Sequence, residues 1–172
     1  MATKNYFPRL LLMRHAKSDW ATSDVDKSRP LSKRGVKDAL KMGKWFLELR
    51  LPSVILCSAA QRATETLKNL EIGSGLDLNP ITEVLDDLYN PSFDSLRDII
   101  QSYHCKVDLM VIGHNPGLEQ LLLWLLESTQ DLEEYEKPFP TGAFYELSLK
   151  GGFKRLDRSS AELISFIRPK LI

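Results

Sequence analysis

Arg9-Leu10-Leu11-Leu12-Met13-Arg14-His15-Ala16-Lys17-Ser18 is the stretch that decides the fold. Its large apolar residues are too few for a helix and lack the alternation of a half-solvated strand, so the run reads as a strand buried on both faces. The run stops abruptly at Arg14 and His15, which places the pair at the strand's carboxyl end. In open α/β sheets ligands bind in the crevice beyond those ends. Taken alone, the pair reads equally well as two polar residues of a surface loop. Recurrence of the arrangement further along the chain separates the two readings.

Ser53-Val54-Ile55-Leu56-Cys57 is a second short apolar run, ending in Ser58 with Arg62 four residues on, at the start of a helical pattern. Leu109-Met110-Val111-Ile112 is another, ending in Gly113-His114-Asn115-Pro116-Gly117. Between the first two runs, Ser18 to Ser28 is a polar loop. Ser32 then has the chemistry of a helix N-cap, and Val36, Ala39, Leu40, Gly43, Phe46 and Leu47 follow at helical spacing. This helix is expected to reach about Arg50, because Pro52 cannot continue it. Strand, helix, strand is the pattern of a parallel βαβ unit.

Ile81 to Leu85 is a candidate third strand, followed by a loop from Asp86 to Pro91. Phe93, Leu96, Ile99, Ile100 and Tyr103 mark one helix face, and Leu118 to Leu126 supply another. Gly73-Ser74-Gly75 reads as a simple turn. Glu127 to Pro140, with Asp131, Glu133, Glu134 and Glu136 against Lys137, reads as a solvated loop. Phe144 to Leu149 is a strand that Gly151-Gly152 can turn into Phe153-Lys154-Arg155-Leu156, a hairpin at the sheet edge. Asp157 to Ile172 shows no pattern that assigns it. The expected fold class is α/β: one domain over residues 1–172, a mostly parallel sheet with helices on both faces.

A chain of 172 residues can bury a proper core, and 43% hydrophobic with 27% charged residues is a soluble globular composition. Lys plus Arg and Asp plus Glu both total 23, so no broad basic field exists for nucleic acid or an anionic membrane, although a small local one could hold a phosphate. No apolar stretch is long enough to span a bilayer, and no basic-then-apolar leader opens the sequence, which gives a cytoplasmic expectation. Cys57 and Cys105 are too few for a disulfide scaffold and show no paired metal-ligand spacing.

The strand ends thus bring Arg14, His15, Ser58, Arg62 and His114 toward one crevice. Planar, permanently charged guanidinium groups suit phosphate oxygens, and two of them can neutralise a phosphoryl group in transfer. A histidine beside such cations tends to stay neutral, and neutral imidazole is a nucleophile. A cysteine-dependent phosphatase loop at Cys57-Ser58-Ala59-Ala60-Gln61-Arg62 is set aside: that cradle needs five residues between Cys and Arg, and here there are four, with no glycine. A metal site from His104, Cys105 and His114 lacks a compact ligand pair.

These residues resemble the histidine phosphatase superfamily, also called phosphoglycerate mutase-like. Arg14-His15 is similar to its R-H signature, Ser58-x-x-x-Arg62-Ala63-x-x-Thr66 to its second arginine motif, and Gly113-His114 to its second histidine. Arg14-His15-Ala16-Lys17-Ser18, Asp26-x-x-Arg29-Pro30-Leu31, Arg34-Gly35, His114-Asn115-Pro116 and Pro140-Thr141 resemble the small SixA-type phosphohistidine phosphatases.

The resemblance implies that His15 attacks phosphorus and that Arg14, Arg62 and His114 hold the phosphoryl oxygens. Asp26, Arg29, Ser18, Asn115 and Thr141 follow as substrate-binding candidates; a loop-internal ion pair is the other reading of Asp26 and Arg29. A general acid is sought among Glu83, Asp86 and Asp87, with Asp87 preferred and a solvated loop carboxylate as the competing reading. No cofactor or metal is expected. The expected substrate is a phosphorylated protein or a small phosphorylated molecule. The chain has no long insertion to close over a sugar phosphate, which favours a phosphoprotein. A non-catalytic phosphate-binding module and a broad phosphomonoesterase or mutase are the alternatives.

Overall fold

The computed structural model describes residues 7–103, 108–126 and 137–172. Six strands form one sheet in the order β3-β2-β4-β1-β5-β6, with β1 Arg9–Arg14, β2 Val54–Ser58, β3 Thr82–Leu85, β4 Leu109–Gly113, β5 Phe144–Leu149 and β6 Ala161–Ile167. β3, β2, β4 and β1 run parallel, while β5 and β6 add to β1 as an antiparallel edge. Among the described residues, four helices flank the sheet: α1 Lys33–Phe46, α2 Gln61–Ser74, α3 Phe93–Ser102 and α4 Gly117–Leu125. This is the mostly parallel, two-faced α/β sheet that the sequence predicts.

Both faces of the central strands are dry, which explains their unbroken apolar runs. Leu10, Leu12, Leu56 and Val111 point to one side, against Leu96 and Ile100 of α3 and Leu118, Leu121 and Leu122 of α4. Leu11, Met13, Ile55, Cys57, Met110 and Ile112 point to the other, against Met42 and Phe46 of α1 and Ala63, Leu67 and Leu70 of α2. Alternation still exists along each strand, but it sorts side chains between two cores rather than between core and water.

Glycines set the α1–α2 contact. A Cβ on Gly73 would lie 2.3 Å from the Leu40 carbonyl oxygen, and one on Gly43 2.5 Å from that of Leu70, so the two backbones meet directly. Gly73-Ser74-Gly75 is therefore not a free turn as expected: Gly73 and Ser74 close α2, and Gly75 caps it at φ +72°. Helix α1 stops at Phe46, short of Arg50, and Leu47 to Leu49 continue in a looser turn with i to i+3 bonds. Pro52 has no N–H to extend the ladder. Asp86 to Leu88 form one 3-10 turn at the start of the expected loop.

The expected hairpin partner at Phe153–Leu156 is corrected. Gly152, at φ +68°, redirects the chain into a 3-10 turn, Phe153–Arg155, which drives Phe153 and Leu156 into the core on the α3–α4 side. The strand that pairs with β5 is β6, from the segment the sequence left unassigned. Its register shifts opposite Glu146/Leu147, and that irregularity erases the period of two.

At the amino end of β1, Arg9 donates to Asp108 and Glu146, all three buried, and Arg50 also pairs with Asp108. No helix among the described residues is long and apolar enough to cross a membrane. The acidic residues Asp131, Glu133, Glu134 and Glu136, and His104 and Cys105, lie outside the described residues.

Candidate active site

Register brings the site together. Arg14 pairs with Gly113, and Cys57 with Ile112, so β1, β4 and β2 end at one level and release His15, His114 and Ser58 side by side. The His15 amide donates to the Gly113 carbonyl (3.1 Å), carrying the pairing one residue past the strand. Helix α2 is tied to the same level by Thr66. Its hydroxyl donates to the Arg62 carbonyl (2.6 Å) and accepts from the Ala16 amide (3.0 Å). Gly35 is required here, because a Cβ would lie 2.1 Å from the Lys17 carbonyl oxygen.

The two histidine rings lie 5.0 Å apart between centroids and both are buried. Nδ1 of His15 lies 2.8 Å from the Ala16 carbonyl oxygen. A carbonyl only accepts, so the neutral ring carries its proton on Nδ1 and presents Nε2 as an acceptor. Burial, aided by His114, Arg62 and Arg14, pushes the His15 pKa down to about 3, against the bond to Ala16; burial and the two arginines do the same for His114, to about 3. Both rings are therefore neutral near pH 7. Nε2 of His114 lies 2.7 Å from the Ser58 hydroxyl.

Arg62 donates its Nε–H to His15 Nε2 (3.3 Å), and its terminal nitrogens donate to the Asp26 carbonyl (2.6 Å) and carboxylate (3.1 Å). Tyr89 donates to the same carboxylate (2.7 Å), and Arg29 pairs with its other oxygen. The Arg29 guanidinium stacks 3.5 Å above the Trp20 ring. Arg14 donates to the Phe139 carbonyl (2.8 Å), and Asn115 donates to Phe139 (3.0 Å) and to Glu119 (2.9 Å). Arg14 Nε, Arg29 Nε and His114 Nδ1 are buried without a hydrogen-bond partner among the described residues.

A crevice of about 520 Å³ is lined by Arg14, His15, Ser18, Asp26, Arg29, Arg62, His114, Asn115 and Thr141, which brings nine of the sequence candidates to one place. Asp87 is exposed on its 3-10 turn and does not line the crevice. Asp86 pairs with Lys27 (2.6 Å), and Glu83 accepts from Tyr103 (2.5 Å), both away from the crevice lining. Tyr89, Asn90, Trp20 and Lys17 also line the crevice. Sequence reasoning missed the first three because each stands in a loop with no periodic signal; Lys17 lies inside the Arg14–Ser18 motif. Cys57 is fully buried and its thiol pKa is pushed up to about 12 by desolvation, so it is no nucleophile.

Comparison with known proteins gives a consistent picture. The model of the histidine phosphatase superfamily (branch 1) matches residues 10–104. An uncharacterised protein of Mycobacterium tuberculosis, Rv1276c, is 32% identical over 165 residues, covering 92% of this chain and all of that protein. Among solved structures, a candidate phosphohistidine phosphatase SixA from Agrobacterium tumefaciens superimposes with a TM-score of 0.77 at 25% identity, covering 96% of this chain and 100% of that one. The protein histidine phosphatase SixA complexed with tungstate shares the fold, with a TM-score of 0.72 at 22% identity over 95% of this chain and 98% of its own.

Proposed function

The chain belongs to the histidine phosphatase superfamily, in its SixA-type branch, and on that premise we propose that it hydrolyses phosphohistidine through a transient phosphohistidine of its own on His15. The observation that carries this reading is the His15 tautomer. The ring proton is held by the Ala16 carbonyl, and Nε2 is left as an acceptor at the crevice, where Arg62 donates to it until the phosphoryl oxygens take over that donor.

In the first step the Nε2–P bond forms as the substrate's N–P bond breaks. Arg14, through its unpartnered Nε–H, and Arg62 neutralise the oxygens as charge spreads over them. In the tautomer where Ser58 donates to His114 Nε2, Nδ1–H of His114 is a further donor. Asp26 and Tyr89 hold Arg62, and Trp20 and Asp26 hold Arg29, at the rim. Water then attacks phosphorus, and His15 departs as the neutral imidazole it was. These cations supply the charge a metal would otherwise bring, so activity survives exhaustive chelation.

The leaving group sets the substrate preference. An alkoxide needs a positioned acid, whereas an imidazole with an ordinary pKa of about 6.5 takes a proton near neutrality. Among the described residues the one carboxylate lining the crevice is that of Asp26, and both of its oxygens accept bonds from Arg29, Arg62 or Tyr89. We expect kcat/KM to be highest on phosphohistidine, lower on activated aryl phosphates and lowest on alkyl phosphates such as phosphoserine. Measuring the three side by side tests this; fast turnover of the alkyl ester with little on phosphohistidine would overturn it.

A further inference from the structure

Trp20 is 71% exposed, more than any other described aromatic side chain, yet its ring is held in place. The Arg29 guanidinium lies 3.5 Å above the ring centroid and covers one of its faces. That guanidinium is itself fixed by an ion pair with Asp26, and Arg29 is buried. The backbone supports the contact: Ser18 and Leu31 form an antiparallel bridge, and the Asp19 amide donates to the Pro30 carbonyl (2.9 Å). Residues 18–20 therefore run beside residues 29–31. Scattered exposed apolar side chains are ordinary on a protein surface and need no explanation. Trp20 differs from these because it lines the crevice that holds His15, and its stacking partner is in position before any ligand arrives.

An indole with one face covered and the other open is a stacking surface. Planar groups stacked on it gain more than their buried area supplies, and a ring already braced loses little freedom when a second group settles against it. A line of direct contacts joins this surface to the nucleophile. Arg29 and Arg62 both bind the Asp26 carboxylate, and Arg62 donates to His15 Nε2 (3.3 Å). At about 520 Å³ the crevice is within the range of small-ligand sites, roughly 300–1,000 Å³, which is room for a phosphoryl group and a five-membered ring together.

We propose that the open face of Trp20 seats the leaving group, stacking on the imidazole ring of the phosphohistidine that is cleaved. The proposal rests on the reading of the crevice as a phosphatase site. A ring seated there is oriented as well as bound. Its N–P bond lies in the imidazole plane, so fixing that plane restricts the direction from which phosphorus meets Nε2 of His15. Phosphoserine offers the indole no planar face. Discrimination against it then rests on a lost contact in addition to the proton demand of its alkoxide.

The test compares two substrates that share the N–P bond and differ in the ring: phosphohistidine, and phosphoramidate, whose leaving group is ammonia. Trp20→Ala should lower the ratio of their kcat/KM values about tenfold, the size of one aromatic pair. Any loosening of Arg29 acts on both substrates alike and cancels in the ratio. Trp20→Phe should keep most of the ratio and Trp20→Leu should lose it, since only Phe restores a π face. In parallel, a phosphonate with a carbon–phosphorus bond to an azole ring, and methylphosphonate, are titrated against the whole chain while tryptophan emission is read. The ring-bearing phosphonate should bind more tightly by a similar factor and give a quench that Trp20→Phe abolishes. An unchanged ratio in Trp20→Ala, equal ratios in Trp20→Phe and Trp20→Leu, or a quench that survives in Trp20→Phe would overturn the proposal. Ring discrimination in binding without turnover of either substrate would sink the phosphatase reading alone, and turnover with a ratio indifferent to Trp20 the stacking surface alone.

Discussion

Arg62 donates its Nε–H to the Nε2 of His15 at 3.3 Å. On the proposed mechanism, one donor thus marks the lone pair that would attack phosphorus and stands where the incoming oxygens would arrive. The contact also penalises protonation of the ring, since an imidazolium would carry a hydrogen where Arg62 presents one. Nucleophile and phosphate ligand are parts of one arrangement, and both should fail together.

Arg14→Ala and Arg62→Ala should each lower kcat by about 10²–10³-fold, the usual effect of deleting one preorganised donor. Cys57→Ser should leave kcat within a small factor, because that thiol is buried and protonated. Steady-state kinetics on an aryl phosphate checks both. An essential Cys57 beside a dispensable Arg62 would contradict the account.

Asp26→Asn should reduce kcat/KM about tenfold or more, because charge-assisted bonds to Arg62 and Arg29 become ordinary ones. Asp87→Asn should change it less than twofold on any substrate, given its exposed position outside the crevice. A selective loss on alkyl phosphates in Asp87→Asn would restore that residue as the acid.

Stability should fall in mild acid. Folded His15 and His114 bind protons only near pH 3, whereas in the unfolded chain they do so near their ordinary value of 6.5. Between these values the unfolded state holds more protons, so unfolding becomes easier as pH drops from 6.5 toward 3, and these residues add no slope above 6.5. Urea midpoints across that window, compared with those of His15→Gln, should show a shallower dependence in the variant. Parallel curves would argue against a neutral buried His15.

Arg9→Met should destabilise the chain by about 3–5 kcal/mol, since it leaves buried Asp108 and Glu146 without that cation. Enough folded protein at low temperature should still turn over substrate, because Arg9 lies at the opposite end of β1 from His15. Chemical denaturation measures the first effect and kcat the second.

The parallel half of the fold and most of the crevice were legible because each strand is a short apolar run that breaks at the residue it delivers. Arg14, His15, Ser58 and His114 announce themselves by ending such runs. What surrounds them did not. Tyr89 and Trp20 act through loops whose position depends on contacts with Asp26 and Arg29, distant from at least one partner in sequence. Strand β6 was hidden by the register shift, and Phe153 looked like strand because its burial comes from a turn after Gly152. The place of Asp87 in the chain suggests an acid, but its exposure is set by the 3-10 turn that carries it, which no local sequence signal reports.

The most direct measurement is a rapid-quench experiment with phosphorus-labelled phosphohistidine peptide. The reaction is stopped in alkali within the first turnover and the protein mapped. The account predicts label on His15 that is stable in base, lost in acid and absent from His15→Ala, which should also lack turnover. Turnover in His15→Ala near the normal rate, or label settled on another residue, would contradict it.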